Sequence, residues 1–261
     1  MFGVRGRTGE LAWYRTGEDA AEVVFLHGFS DSAHCWGPLI NAMPGLRALA
    51  IDARGHGESG LPQEPIRYDG HRDDAALVLS SQPREGGVVV VGHSMGAMAA
   101  AHLAASRPDL VRAVVLEDPP TGAPPADPRS WSEPQWLAEL RALDLPQRIA
   151  RGRADNPAWP DDELEPWAVS KAQVDPRLFD LPFQEAPPLT DLLAAITCPV
   201  LLIHGDTDRG SLIATTYAAH CTQAAAGDFQ AEHITNAGHS VRRDNRPQYV
   251  AALTAFLDRN G

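Results

Sequence analysis

Three kinds of residue in this chain could do chemistry together: a serine flanked by glycines, a histidine beside a glycine, and carboxylates at the ends of apolar runs. The serine is Ser94 in Gly92-His93-Ser94-Met95-Gly96. It follows Val88-Val89-Val90-Val91 and precedes the small-residue run Ala97-Met98-Ala99-Ala100-Ala101. A buried strand, a sharp turn and a helix start form the setting in which G-x-S-x-G lifts a serine oxygen to the top of a sheet. The helix N-terminus then offers free N–H groups and positive dipole to a developing oxyanion. Such a nucleophile needs a base, and the base needs an orienting acid.

The base is read as His239, in Asn236-Ala237-Gly238-His239-Ser240. His27 and His93, beside glycines in turns, are expected to brace loops, whereas His34 and His204 are candidates to line the site. Asp208 is the first choice of acid, three residues past the glycine in His204-Gly205-Asp206-Thr207-Asp208. Glu117, ending the preceding apolar run, is the alternative, with Asp206 and Asp118 behind it. Two N–H donors are expected at the oxyanion. One is Met95, next to the nucleophile; the other is Phe29, in the His27-Gly28-Phe29 loop after the first buried strand.

The elements that must position these residues are legible as alternation. Apolar runs of four or five residues (Val23-Val24-Phe25-Leu26, 47–51, 88–91, 113–116 and Val200-Leu201-Leu202-Ile203) each lead into a turn, most of them glycine-bearing. Helix-like stretches lie between or after them at 69–81, 95–106, 212–222 and 247–258. Runs this apolar suit a sheet buried on both faces, and the alternation implies an α/β protein with a mostly parallel sheet and helices on both faces. Leu11-Ala12-Trp13-Tyr14 is expected as an antiparallel edge strand.

The alternation stops after Leu116 and resumes at Val200. Fourteen of the 22 prolines and four of the six tryptophans fall between positions 119 and 188. Short helices are expected there, at 134–143 and 160–171. An unstructured loop of that length would be implausible inside a compact domain, so 119–188 is read as a helical lid on a body made of 1–118 and 189–261. Its aromatics Trp131, Trp136, Trp159, Trp167, Phe179 and Phe183 suggest an apolar or aromatic substrate. Only one or two of them are expected to touch it, the rest joining lid to body.

Composition narrows the partners. A formal net charge of −12 disfavours nucleic acid and anionic membrane surfaces. No run approaches the roughly 18 apolar residues of a membrane span, and the first ten residues lack a signal-peptide core, so a cytoplasmic protein is expected. The widely spaced Cys35, Cys198 and Cys221 show no zinc spacing and are expected to be reduced thiols, mostly buried. Lys171 is the sole lysine, and a Schiff-base or phosphate-binding role for it is judged improbable.

Taken together, His27-Gly28-Phe29, Asp52-Ala53-Arg54-Gly55-His56-Gly57-Glu58-Ser59, Gly92-His93-Ser94-Met95-Gly96, Gly205-Asp206-Thr207-Asp208 and Gly238-His239 resemble the α/β-hydrolase superfamily in order and spacing over nearly the whole chain. The resemblance implies the α/β-hydrolase fold with a helical cap inserted after the sixth strand, at 119–188. It implies a triad of Ser94, His239 and Asp208. Some relatives, lactone-cleaving ones included, carry the acid after the sixth strand, where Glu117 stands. It implies a serine esterase or lactonase acting on a small molecule without cofactor or metal. A serine at the elbow departs from epoxide hydrolases and haloalkane dehalogenases, and the loop after Gly28 lacks the glycine run of many lipases. Perhydrolysis or cofactor-free oxygenation at the same site, or a ligand receptor on the same scaffold, are the alternatives. A homodimer is left open.

Overall fold

The computed structural model describes residues 2–62, 65–82, 85–123 and 126–260. Two prolines of the expected lid, Pro124 and Pro125, lie outside that set. The strands are β1 (Val4–Thr8), β2 (Leu11–Arg15), β3 (Val23–Leu26), β4 (Ala48–Ile51), β5 (Val88–His93), β6 (Val111–Glu117), β7 (Val200–His204) and β8 (Phe229–His233). They form one sheet in the order β1-β2-β4-β3-β5-β6-β7-β8. β2 is antiparallel to β1 and β4, and the remaining pairs are parallel. Leu11–Arg15 is thus antiparallel as expected, but β1 takes the edge.

The helices are α1 (Gly37–Asn41), α2 (Tyr68–Ser81), α3 (Met95–Ser106), α4 (Gln135–Ala142), α5 (Leu145–Asp155), α6 (Asp161–Ala172), α7 (Leu189–Leu193), α8 (Thr215–Ala224), α9 (Val241–Asp244) and α10 (Arg246–Asn260). β3, β4, β5 and β7 are buried along their whole length, so their side chains alternate between two apolar layers. Val24, Val90, Val114 and Leu202 face α2, α3, α7 and α8. Phe25, Val89, Val115 and Leu201 face Trp36, α1 and α10, where Tyr249, Leu253 and Phe256 are fully buried. At about 25 cal/mol per Å² of apolar surface removed from water, these two layers supply most of the drive to fold.

Small residues let α3 come close to the sheet. A Cβ at Gly96 would sit 2.2 Å from the Leu26 carbonyl oxygen, and one at Gly92 would sit 2.3 Å from the Gly96 carbonyl oxygen. Both motif glycines therefore answer to backbone approach. The chain runs from β3 outward to β4 and returns to β5 on the other side of β3. The loops leaving β3 and β5 diverge at this switch point, where open α/β sheets form crevices.

Between β6 and β7 the chain leaves the sheet. α4, α5 and α6 pack on one another through Leu140, Trp159, Leu164, Trp167 and Ala168. α4 and α6 fall where helices are expected at 134–143 and 160–171, and α5 between them is an additional helix. That helix is opened by a capping box, in which Asp144 accepts from the Gln147 N–H and the Gln147 side chain accepts from the Asp144 N–H.

Candidate active site

Ser94 sits between β5 and α3 with φ 52° and ψ −117°, a conformation that costs a non-glycine residue about 1–3 kcal/mol. The surroundings hold it there. Its N–H donates to the Glu117 carbonyl at 2.9 Å, and its own carbonyl accepts from Ala97 and Met98 in the first turn of α3. The result is a half-buried serine at the carboxyl end of the central strand.

His239 lies in the loop before α9, and its Nδ1 is 2.6 Å from Asp118 Oδ2. A carboxylate only accepts, so Nδ1 carries a proton, and in the neutral ring this leaves Nε2 free to accept, the form a general base needs. His93 steadies this loop: its Nε2–H donates to the His239 carbonyl at 3.0 Å, and the two rings lie 4.8 Å apart. Burial drives the His93 imidazole well below its usual range, helped by Arg242 and His239 nearby, so it stays neutral.

The carboxylate that meets His239 is Asp118, neither Asp208 nor Glu117. Asp118 follows β6 at φ 41°, a region in which Asp is tolerated better than most residues. Its N–H donates to the Ile203 carbonyl. Its fully buried carboxylate accepts from Ser211 Oγ at 2.6 Å, Leu212 N at 2.9 Å and Ile213 N at 3.2 Å, besides His239. The loop after β7 thus supplies donors to Asp118 and not the carboxylate that meets His239.

Asp208 is exposed on the single turn Thr207–Arg209. Asp206 accepts from His233 and from the Asn236 N–H. Glu117 is buried but faces away from His239, accepting from the Arg242 backbone at 3.0 Å and its guanidinium at 3.1 Å. Glu117 therefore anchors α9, the helix after His239. The Asp118-Pro119 step ending an apolar run is a signal available in the sequence, but it fits a plain turn equally well.

The loop after β3 passes directly over the serine, since a Cβ at Gly28 would lie 3.2 Å from Ser94 Cβ. Neither the Phe29 nor the Met95 N–H has an acceptor among the described residues. His27 braces this loop: its Nδ1–H donates to the Gly28 carbonyl and its Nε2 accepts from Ala53 N–H. Asp52 ties the same loop to the Asp52–Ser59 motif by accepting from the Ala33 and Glu58 N–H groups.

Phe29 and Met95 border a cavity of about 110 Å³ that opens to solvent, whose other walls include Ile66, Trp131, Leu178 and Phe183. Two imidazoles in its wall are neutral: burial takes His56 down to about 3 and His71 down to about 4. Arg54 and Arg67 also line it, but their guanidiniums pair with Asp74 at 2.8 Å and Asp69 at 3.0 Å.

Of the aromatics named from sequence, Trp131 and Phe183 line this cavity, and Phe179 packs behind Trp131 at 4.8 Å between ring centres. Trp136 is 46% exposed, edge-on to Phe29. The other candidates do not line the cavity. Trp159 and Trp167 are buried inside the insertion, with Trp159 Nε1 donating to Asp244. His34 packs on Tyr14 and Phe2 away from the cavity, and His204 is buried and stacks on His233. Length and apolarity are shared by gluing and binding aromatics, so composition could not separate them.

Among the described residues, no group of His, Cys, Asp and Glu is arranged to hold a metal ion, and no helix is long and apolar enough to cross a membrane. The three cysteines are free thiols, Cys35 and Cys221 buried and Cys198 half-buried.

A mostly parallel sheet carrying a serine on a strained strand-to-helix turn, with a histidine–aspartate pair packed against the histidine beside that serine, is the arrangement of a hydrolase. The chain belongs to the alpha/beta hydrolase family, whose model matches residues 23–253. It is 36% identical to lipase LipV of Mycobacterium tuberculosis over 62% of this chain, a match spanning 59% of that protein. It is 26% identical to esterase Rv0045c of the same organism, over 97% of this chain and 88% of that one. The solved structure of E-2-(acetamidomethylene)succinate hydrolase superposes with a TM-score of 0.73 at 24% identity, covering 98% of each chain. Relatives named esterase, lipase and hydrolase make the class of activity hydrolytic.

Proposed function

We propose that the protein is a serine hydrolase that cleaves an ester or lactone bearing a small apolar or aromatic acyl group, with Ser94, His239 and Asp118 as its triad. Ser94 Oγ attacks the carbonyl carbon while His239 Nε2 takes its proton. Asp118 holds the imidazole in the Nδ1–H tautomer and stabilises the imidazolium. The oxyanion rests on the Phe29 and Met95 N–H groups, each worth about 3 kcal/mol of barrier. His239 returns the proton to the leaving oxygen, which departs as an alcohol; in a lactone it stays tethered to the acyl group. His239 then activates water to release the acid from the acyl-enzyme.

The observation that carries this reading is the 2.6 Å pair of His239 Nδ1 and Asp118, with the His239 ring 4.8 Å from that of His93, the neighbour of the elbow serine. A fluorophosphonate probe tests it. The expected result is one adduct on the peptide containing Ser94, absent from Ser94→Ala. Labelling that persists in that variant, or a folded wild-type protein that never labels, would sink the proposal.

Residues 119–188 act in this reading as the cap, with Trp131 and Phe183 as the acyl-side wall. Trp131→Ala is expected to lower kcat/KM for an aromatic or hexanoyl ester about tenfold relative to the acetyl ester, within the 1–3 kcal/mol range of an apolar pocket contact. Equal loss on all three esters would remove Trp131 from the selectivity wall.

A further inference from the structure

The most conspicuous group that the proposed mechanism leaves unused is Lys171, in the last turn of α6, with its side chain 4% exposed. Its ammonium makes three 2.9 Å contacts, donating to the Ser30 carbonyl, the Ser30 hydroxyl and Asp31 Oδ1. An ammonium has three N–H bonds, so all are used, which argues against a nucleophilic or Schiff-base role. The grip falls on the residue next to Phe29, and Ser30 is held at φ 65°, a backbone region costly for a non-glycine residue.

Around this contact lies a buried cluster with three acids, Asp31, Glu117 and Glu163, and three bases, Lys171, Arg242 and Arg243. Burial alone would push the Asp31 carboxyl up, but Arg243, Lys171 and Arg242 around it hold it well below the usual carboxylate range. The cluster draws on the Phe29 loop, the end of β6, the helix after His239, and α6 of the insertion. Asp31 keeps both arginines if Lys171 is removed, so the charge of the cluster does not collapse with it.

We propose that Lys171 is a positioning residue through which the inserted segment holds Ser30 in its left-handed conformation and so keeps the Phe29 N–H aimed at the oxyanion. The inference rests on the serine-hydrolase reading above. It makes seating of the insertion a condition for a complete oxyanion hole. Without the lysine, Ser30 can relax to negative φ, and the adjoining Phe29 backbone turns with it.

The test is steady-state hydrolysis of a chromogenic ester, with kcat expressed per phosphonate-titratable site so that misfolded protein drops out. Lys171→Met is expected to lower kcat about 100-fold with KM within threefold, the size of effect seen when one oxyanion donor is lost. Adding Ser30→Gly should recover about tenfold of that, because glycine adopts positive φ without steric cost. A Lys171→Met enzyme with unchanged kcat, or one changed in KM alone, overturns the proposal, as does a Ser30→Gly addition that recovers nothing. Should Lys171→Met fail to fold, Ser30→Ala carries the test. It removes one acceptor and leaves every charge in place. A fall in kcat of about fivefold is expected, and an unchanged kcat would overturn the assignment. Failure here differs from failure of the hydrolase reading, which would show as a wild-type Ser94 that does not label.

Discussion

Asp118→Asn is expected to lower kcat about 10⁴-fold while Asp208→Asn stays within twofold of wild type. The first figure is the size of effect known when a triad aspartate becomes an amide and the imidazole is left in the wrong tautomer. Here the geometry adds a second cost. The Asp118 carboxylate accepts from Ser211 Oγ, Leu212 N, Ile213 N and His239 Nδ1. An asparagine amide keeps one acceptor oxygen and points an NH₂ at groups that also donate. Asp208 stands exposed on its turn, so its amide changes nothing near the serine. Glu117→Gln should fall between the two, because it loosens Arg242 and the helix behind His239 without touching the imidazole. Turnover of a chromogenic ester by the three variants, each checked for folding by circular dichroism, decides the order. If Asp208→Asn or Glu117→Gln proved the most damaging, the acid would lie elsewhere than at Asp118.

Ser94→Ala is expected to remove about 10⁶-fold in kcat, the loss typical of deleting a nucleophilic serine. It should leave the melting temperature nearly unchanged. Alanine at φ 52° meets much the same backbone cost as serine, the hydrogen bonds that hold the turn come from the main chain, and the Ser94 side chain caps nothing at the start of α3. Any residual turnover is expected from the proposed Phe29 and Met95 amides and from substrate positioning. The check is the pair of readouts together. Lost activity with an intact melting curve assigns the chemistry to Ser94 Oγ, whereas lost activity with a collapsed curve would make the serine a folding residue instead.

Much of this was legible without coordinates, for local reasons. Four buried strands announce themselves as unbroken apolar runs, because a strand covered on both faces has no room for polar alternation. Ser94 is marked by its glycines, which the backbone contacts of α3 with β3 and β5 require. His239 is marked by Gly238 and by its place after the last apolar run. The edge strands were harder: β1 alternates between half-buried and exposed positions and reads as an ordinary polar stretch. α5 was hidden because its amphipathic face closes on the insertion itself, through Gly152 against Trp167.

The sequence by itself determined that a serine, a histidine and a choice of four carboxylates gather at the carboxyl edge of one sheet. Tertiary structure alone decided which carboxylate meets His239. Glu117 and Asp118 end β6, Asp206 and Asp208 follow β7, and the two strands are paired with Glu117 opposite Ile203. All four therefore arrive at the same edge, and spacing along the chain cannot rank them. What ranks them is direction: a positive φ at Asp118 turns its carboxylate toward His239, and Arg242 draws Glu117 away. The same holds for the tryptophans and for the lone lysine, whose neighbours come from loops more than a hundred residues distant.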